Sequence, residues 1–491
     1  MFAANVFRSV WLSAWVVVLL AALLAFAQTA FAQTGDTGAS TGASLSPAQG
    51  VVDKLVEAIE SSDAKSPETK TTYVRGKDGR AVVTKVIAEI GDRRLIKLPT
   101  GELDLVPRSD TRRCDQPFAS ASRAELTDKL RADGFKEFKI VPAGYFLFAY
   151  DCSEAYYLHT RSILESMLSG VIQKLRDWGL QPQRPETPMV VLIVSSREKF
   201  DAIKKMPPQV AAYYSGISNR VVLYEDQRLW DAAPEYAFKE AAYTVAHEGI
   251  HQLLANTGIQ QRLARWPQWV SEGLPEYFCP LKVNTKLIKK DDSELPERTL
   301  TWRRAGQVND LRMYQLFRHQ PDGGRLIRAV VGSRSLNADG YAISWGLVHF
   351  LATKMPEEFG AYLQEVSQRR PLDTRTERGA DPLFEKHFGS DYSVLEKKVQ
   401  RHLLDKKMQK SYRDPIEHQT HYVMKQIIKR GRTFHTTVAL TLSPAKARDW
   451  RDMKLAEADA EGKTSAFYTI VCKTRKEADF HLGKLGFRVA Q

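Results

Sequence analysis

Apolar positions along the chain follow three rhythms, and each predicts a different kind of element. Between Thr71 and Arg108 they come in short β-rich runs, Val82 to Ile87, Leu95 to Leu98 and Leu103 to Val106. Turn signals at Lys77-Asp78-Gly79, Gly91-Asp92 and Thr100-Gly101 separate them, so residues 71–112 read as a β-meander closing into a small barrel. Longer strand-like runs follow at Phe138 to Val141, at Tyr145 to Tyr150, and in the unbroken Met189 to Val194, whose lack of alternation predicts burial on both faces. Tyr213 to Tyr224 reads as a hairpin. A helical period appears from Glu154 to Gly179, with Leu164, Met167, Leu168, Val171, Ile172 and Leu175 on one side. It returns at Ala242, Val245, Ala246, Ile250, Leu253 and Leu254, and Asn256-Thr257-Gly258 ends that helix. Residues 281–340 are polar and irregular and read as solvated loop with short helix. Tyr341 to Ala352, Pro356 to Ser367 and Tyr392 to Lys406 are again helical. Beyond residue 410, strand His435 to Leu442, helix Pro444 to Asp459, strand Ala466 to Cys472, helix Lys473 to Leu485 and strand Phe487 to Val489 form a small α+β module spanning 410–491.

The first 32 residues change the picture. Arg8 is their only charge, Val10 to Ala27 is apolar, and Ala30-Phe31-Ala32 is a small-x-small cleavage site, so 1–32 reads as a signal peptide. The apolar run also has the length of an uncleaved membrane anchor. With either outcome the chain is expected to be extracytoplasmic: periplasmic, envelope-associated or secreted. Residues 33–70 read as a flexible Gly/Ser/Thr linker with one short helix at Ala48 to Ser61. The formal charge of +13 falls by one when Arg8 leaves with the signal. Outside the cytoplasm such a basic chain is expected to meet anionic cell-envelope components and not nucleic acid, and membrane only if the N-terminal segment stays uncleaved. Cys114 and Cys152 are able to form a disulfide in an oxidising compartment, although pairing is not readable from sequence. There is no P-loop, no Rossmann glycine fingerprint and no CxxC pair.

The chemistry gathers on the helix that carries Ala246-His247-Glu248-Gly249-Ile250-His251. Residues four apart on a helix share a face, so His247 and His251 are placed to grip one Zn²⁺, with Glu248 beside them as a general base. The bland alternative is a solvated helix face, against which the apolar flank counts. A catalytic zinc keeps three protein ligands and one open position, and Glu272, in Trp269-Val270-Ser271-Glu272-Gly273-Leu274, is the expected third.

His247-Glu248-x-x-His251 followed by Trp269-x-x-Glu272-Gly273-Leu274 resembles the gluzincin clan of zinc metallopeptidases, which includes thermolysin and the zinc aminopeptidases. It resembles most of all the peptidase MA-like exported proteins of planctomycete-type bacteria. The likeness covers about residues 140–405 and is strongest from Ala246 to Phe278. It implies an α+β, zincin-like (thermolysin-type) domain over 113–409, flanked by a small SH3-like β-barrel and the C-terminal α+β module. It implies one Zn²⁺ held by His247, His251 and Glu272, with Glu248 as base, and a peptide or protein as substrate. Tyr341, which leads Tyr341-Ala342-Ile343-Ser344-Trp345-Gly346, resembles the tyrosine that stabilises the oxyanion in zinc aminopeptidases; the alternative is a core tyrosine. Glu276 stands where thermolysin-like enzymes place a carboxylate that orients a ligating histidine; the alternative is a solvated glutamate. In such folds the 213–224 hairpin supplies the sheet edge over the cleft. Pro275 departs from the pattern, where the family usually carries alanine, and is expected to kink the helix of Glu272. No Gly-x-Met-Glu-Asn stretch is present to hold a free amino terminus, so an endopeptidase is expected. The rival is a non-catalytic, zinc-stabilised envelope-binding protein.

Overall fold

A computed structural model describes residues 71–75, 81–208, 210–279, 282–283, 300–301, 306–316, 324–372, 381–415, 417–430 and 432–485. The signal segment, the linker with its helix at Ala48 to Ser61, and the strand expected at Phe487 to Val489 lie outside these residues. Among the described residues no helix is long and apolar enough to cross a membrane.

The N-terminal runs form β1 (Thr71–Arg75), β2 (Ala81–Ile90), β3 (Arg93–Lys97), β4 (Leu103–Pro107) and β5 (Thr111–Arg113). They pair antiparallel in the order β4-β3-β2-β1-β5, which leaves β4 and β5 as edges. The expected closed barrel is therefore an open sheet. The reason lies in its core: Ala88, Ile90, Leu95, Leu103 and Leu105 are covered by Leu372, Ile217 and Leu263 from the next unit. An apolar face already covered by a neighbour gains nothing further from closing on itself. Leu103 N donates to Ile217 O at 2.8 Å and the Arg262 side chain donates to Gly101 O, one backbone and one side-chain bond that tie the two units.

The central sheet contains β6 (Lys139–Ala143), β7 (Phe146–Tyr150), β8 (Met189–Val194), β9 (Ala212–Ser215) and β10 (Arg220–Tyr224) in the order β6-β7-β8-β10-β9. Strands β7, β8 and β10 are parallel, and β6 and β9 are antiparallel edges. Every residue of β8 is buried, as its unbroken apolar run requires. Met189, Val191 and Ile193 face the main core, which contains the helices Glu154–Asp177 and Pro234–Asn256. Val190, Leu192 and Val194 face the helices Arg123–Ala132 and Arg197–Ile203 through Leu126, Leu130 and Phe200.

Behind the sheet the chain is helical: Gln268–Phe278, Asp310–Leu316, Arg325–Val331, Ala338–Lys354, Pro356–Ser367, Pro382–Phe388, Tyr392–Leu403 and Lys406–Ser411, with a two-residue pair β11 (Lys282–Val283) and β12 (Leu300–Thr301). Two glycines set the helix spacing. A Cβ at Gly249 would lie 2.3 Å from Leu164 Cδ2, and one at Gly273 would lie 2.7 Å from Val348 Cγ2 and 2.9 Å from Ser344 O. Gly249 thus lets the helix Glu154–Asp177 seat its Leu164 against the histidine helix, and Gly273 brings the Glu272 helix onto the backbone of the helix that carries Tyr341.

The C-terminal module is a three-stranded antiparallel sheet, β14-β13-β15, of β13 (His421–Arg430), β14 (Thr433–Thr441) and β15 (Ser465–Cys472), with helices Pro444–Ala460 and Arg475–Lys484. Its central strand, β13, was not expected from the sequence. His421-Tyr422-Val423-Met424-Lys425-Gln426 mixes polar and apolar side chains on both faces, because Val423 and Met424 are each buried on opposite sides. Strict alternation, the signal of a half-buried strand, is then missing. All four cysteines are free thiols, so Cys114 and Cys152 are not bridged.

Candidate metal centre

The helix Pro234–Asn256 starts on a proline at its first position, where the missing N–H has no intrahelical partner to lose. It carries His247, Glu248 and His251 in its second half. The helix Gln268–Phe278 crosses it and presents Glu272 and Glu276, one turn apart. Pro275 lies inside this second helix, in its last turn, and both carboxylates still reach their partners across it. The kink expected there does not divert Glu272.

Three donor atoms converge. His247 Nε2 is 3.2 Å from His251 Nε2 and 3.2 Å from Glu272 Oε2, and His251 Nε2 is 3.4 Å from Glu272 Oε2. Four-coordinate zinc with ligands at 2.0–2.1 Å has ligand–ligand edges of about 3.3 Å. The triangle thus has the size of one face of such a tetrahedron, and the donor set of two imidazoles and one carboxylate suits a divalent transition metal. These residues could hold a metal ion.

His247 is gripped from both sides. Its Nδ1 lies 3.2 Å from Glu276 Oε1, so the ring is turned with Nε2 towards the other donors. Glu276 is 3% exposed, which settles it as a buried partner of the histidine and not a solvated side chain. Its Oε1 accepts from Arg312 Nη2 at 2.7 Å and its Oε2 from Asn309 Nδ2 at 2.9 Å. Both donors come from the stretch read as solvated loop, and both are buried. Cys279 also packs here, its thiol donating to Tyr243 O at 3.5 Å and lying near His247.

Glu248 Oε2 accepts the backbone N–H of Tyr214 at 2.7 Å, which places the carboxylate between the histidine helix and edge strand β9. The strand is fixed there by Asn219, which takes a left-handed φ of 58° in the β9–β10 turn. Asn219 exchanges hydrogen bonds with Asn256, accepts from the Tyr214 hydroxyl, and offers its carbonyl to Gln252. Gln252 is the residue after His251, so the histidine helix and the edge strand are held as one unit. Tyr341, on the helix Ala338–Lys354 capped by Asn337, is buried with its ring 6.1 Å from that of His247. It hydrogen-bonds to Glu272.

The charges around the group favour a cation there. Burial pushes the Glu272 carboxyl up, yet His251 and His247 beside it hold it well below the usual carboxylate range. Burial opposes Glu276 in the same way, and Arg312 with His247 brings it down to about 2. Burial lowers the His247 value, but hydrogen bonds to Cys279, Glu272 and Glu276 carry it well above an ordinary histidine. Burial, then the carboxylates of Glu272, Glu276 and Glu248, keeps the Tyr341 hydroxyl protonated and therefore a donor. Three carboxylates outnumber the Arg312 guanidinium and the proton held by His247, which makes the pocket one that positive charge stabilises.

The sequence reading named six of these residues, and the structure brings all six together. It missed Asn309, Arg312, Cys279 and the Tyr214 N–H. Asn309 and Arg312 carry no local pattern that sets them apart from solvated polar residues, and a backbone donor leaves no trace in a side-chain motif.

A family described as a protein of unknown function (DUF1570) matches residues 241–373, a span that includes His247, Glu248, His251, Glu272, Glu276, Arg312 and Tyr341. No curated protein matches the chain.

Proposed function

We propose that this chain is an exported, single-zinc metallopeptidase of gluzincin type that hydrolyses peptide bonds as an endopeptidase. The observation that carries the reading is the 3.2, 3.2 and 3.4 Å triangle of His247, His251 and Glu272 donors, with Glu248 next to His247 in the histidine helix and Tyr341 beside that histidine. Zinc bound by those three residues supplies an acidified water and a Lewis acid for the scissile carbonyl.

The residues divide the remaining work. Glu248 is the base that takes the water's proton and then delivers it to the leaving amine. The Tyr214 N–H holds that carboxylate in one orientation while leaving it half-exposed to substrate. Tyr341 stays protonated at neutral pH and donates to the oxyanion as it develops. Among the described residues strand β9 is an antiparallel sheet edge beside Glu248, and an extended peptide running past it is presented to the metal centre. The basic charge and the N-terminal apolar segment fit work on or near anionic envelope material outside the cytoplasm.

The experiment is a peptide-library digest with wild type and Glu248→Gln at matched zinc content. The amide keeps the shape but cannot accept the proton, so cleavage is expected to fall about 10²–10⁴-fold with metal retained. Equal cleavage by both proteins rejects the mechanism. Cleavage by neither favours a zinc-stabilised binding protein.

A further inference from the structure

Glu276 is held far more firmly than orienting one histidine requires. Both of its oxygens are fixed: Oε1 by Arg312 Nη2 at 2.7 Å and by His247 Nδ1 at 3.2 Å, Oε2 by Asn309 Nδ2 at 2.9 Å. All four side chains are buried. Asn309 does two jobs at once, since its Oδ1 accepts Arg312 N at 3.1 Å and so caps the helix Asp310–Leu316. Its Nδ2 is thereby aimed at Glu276. The Arg312 fork is itself fixed by Nη1 donating to Gln315 Oε1 at 3.0 Å, and its guanidinium lies 5.3 Å from the centre of the Tyr341 ring.

We propose that Arg312 and Asn309 are positioning residues of the metal centre, acting through Glu276 to fix the ring of His247, with Arg312 also steadying Tyr341. This rests on the metal-site reading above. A carboxylate on an unrestrained side chain rotates, and a histidine whose Nδ1 partner rotates loses its aim at Nε2. Here one cation and one amide clamp the carboxylate plane, so the imidazole is oriented before a metal arrives. The same guanidinium meets the face of Tyr341, an arrangement favourable to a cation, and so couples the ligand side of the centre to the oxyanion side.

The test is a thermodynamic cycle on zinc affinity, measured by chelator competition on the full chain, with wild type, Arg312→Met, Glu276→Gln and the double variant. Arg312→Met alone is expected to weaken zinc binding about 10–100-fold. In the Glu276→Gln background the same change should cost no more than about twofold, because the group it acts through is gone. Arg312→Lys, which keeps the charge without the fork, should recover part of the loss. If Arg312→Met does not fold, Asn309→Ser replaces it in the cycle, since serine retains the helix cap and loses the reach to Glu276. Unchanged affinity in Arg312→Met, or losses that simply multiply in the double variant, overturns the proposal. A wild type that takes up no zinc removes the metal-site reading itself, and this inference with it.

Discussion

Among the described residues two separate places put three potential metal donors close together, and only one of them is built to keep them there. At His247, His251 and Glu272 the donors stand 3.2–3.4 Å apart, and the far side of His247 is gripped by Glu276, which Arg312 and Asn309 grip in turn. At Cys472, Glu477 and His481 the inventory is similar, yet the carboxylate is already employed. Glu477 Oε2 accepts the Lys473 N–H at 2.7 Å and Glu477 N donates to the N-cap Thr474 Oγ1, so the residue is tied into the start of the helix Arg475–Lys484. Among the described residues no hydrogen bond orients the His481 ring; it faces Phe480 at 5.5 Å. A third grouping, His247, Glu276 and Cys279, shares a histidine with the first and already has the Arg312 cation against its carboxylate. Donors near one another are common; donors whose other atoms are committed to holding them in place are not.

The largest effect tests that contrast directly. His251→Ala should strip the protein of zinc, whereas His481→Ala should leave about one zinc per chain. Elemental analysis after dialysis decides it, and a His481→Ala protein without zinc would reverse the ranking of the two clusters. The next effect concerns how far the first cluster's machinery extends. Tyr341→Phe should retain zinc and lower kcat by about 10²–10³-fold, the range of 2.7–4 kcal/mol for a lost oxyanion donor, with little change in KM. A variant that alters KM alone would make Tyr341 a substrate contact instead.

The smallest effect uses a histidine that has burial without a carboxylate. His159 is 8% exposed, packs edge-on against Phe238, and burial brings its value down to about 4 from 6.5. Between those values the unfolded chain binds a proton that the folded one refuses, so stability is intact above pH 6.5 and falls as the pH drops towards 4. The full loss is about 3 kcal/mol. Urea unfolding at pH 7 and pH 4.5 should show it in wild type, and less of it in His159→Leu. Identical pH dependence in both proteins would separate His159 from the acid response.

What was legible in the sequence was what a helix makes local. His247, Glu248 and His251 share a face by spacing alone, and Glu272 and Glu276 follow from the same spacing on the next helix. The buried β8 and the 213–224 hairpin were readable for similar reasons. Asn309 and Arg312 were not, because their role exists only once the helix Asp310–Leu316 is packed against Glu276. The N-terminal barrel failed on a tertiary fact too. The three strands named there match β2, β3 and β4, β1 and β5 were not named, and the apolar face is covered by Ile217, Leu263 and Leu372 from elsewhere in the chain. Pro275 misled in the other direction, since a proline three residues from a helix end leaves little helix beyond it to deflect.

The short edge strand β9 has a consequence for solubility. An uncovered edge offers unpaired backbone groups on which any extended chain, including another copy of this protein, can template a sheet. Here the edge is four residues long, and the N–H of Tyr214 is already occupied by the charged carboxylate of Glu248. A passing strand gains few hydrogen bonds and must displace a charge to gain the next. Indiscriminate edge-to-edge pairing is thereby disfavoured by the same carboxylate that we propose as the base, so one residue gives this edge two separate uses.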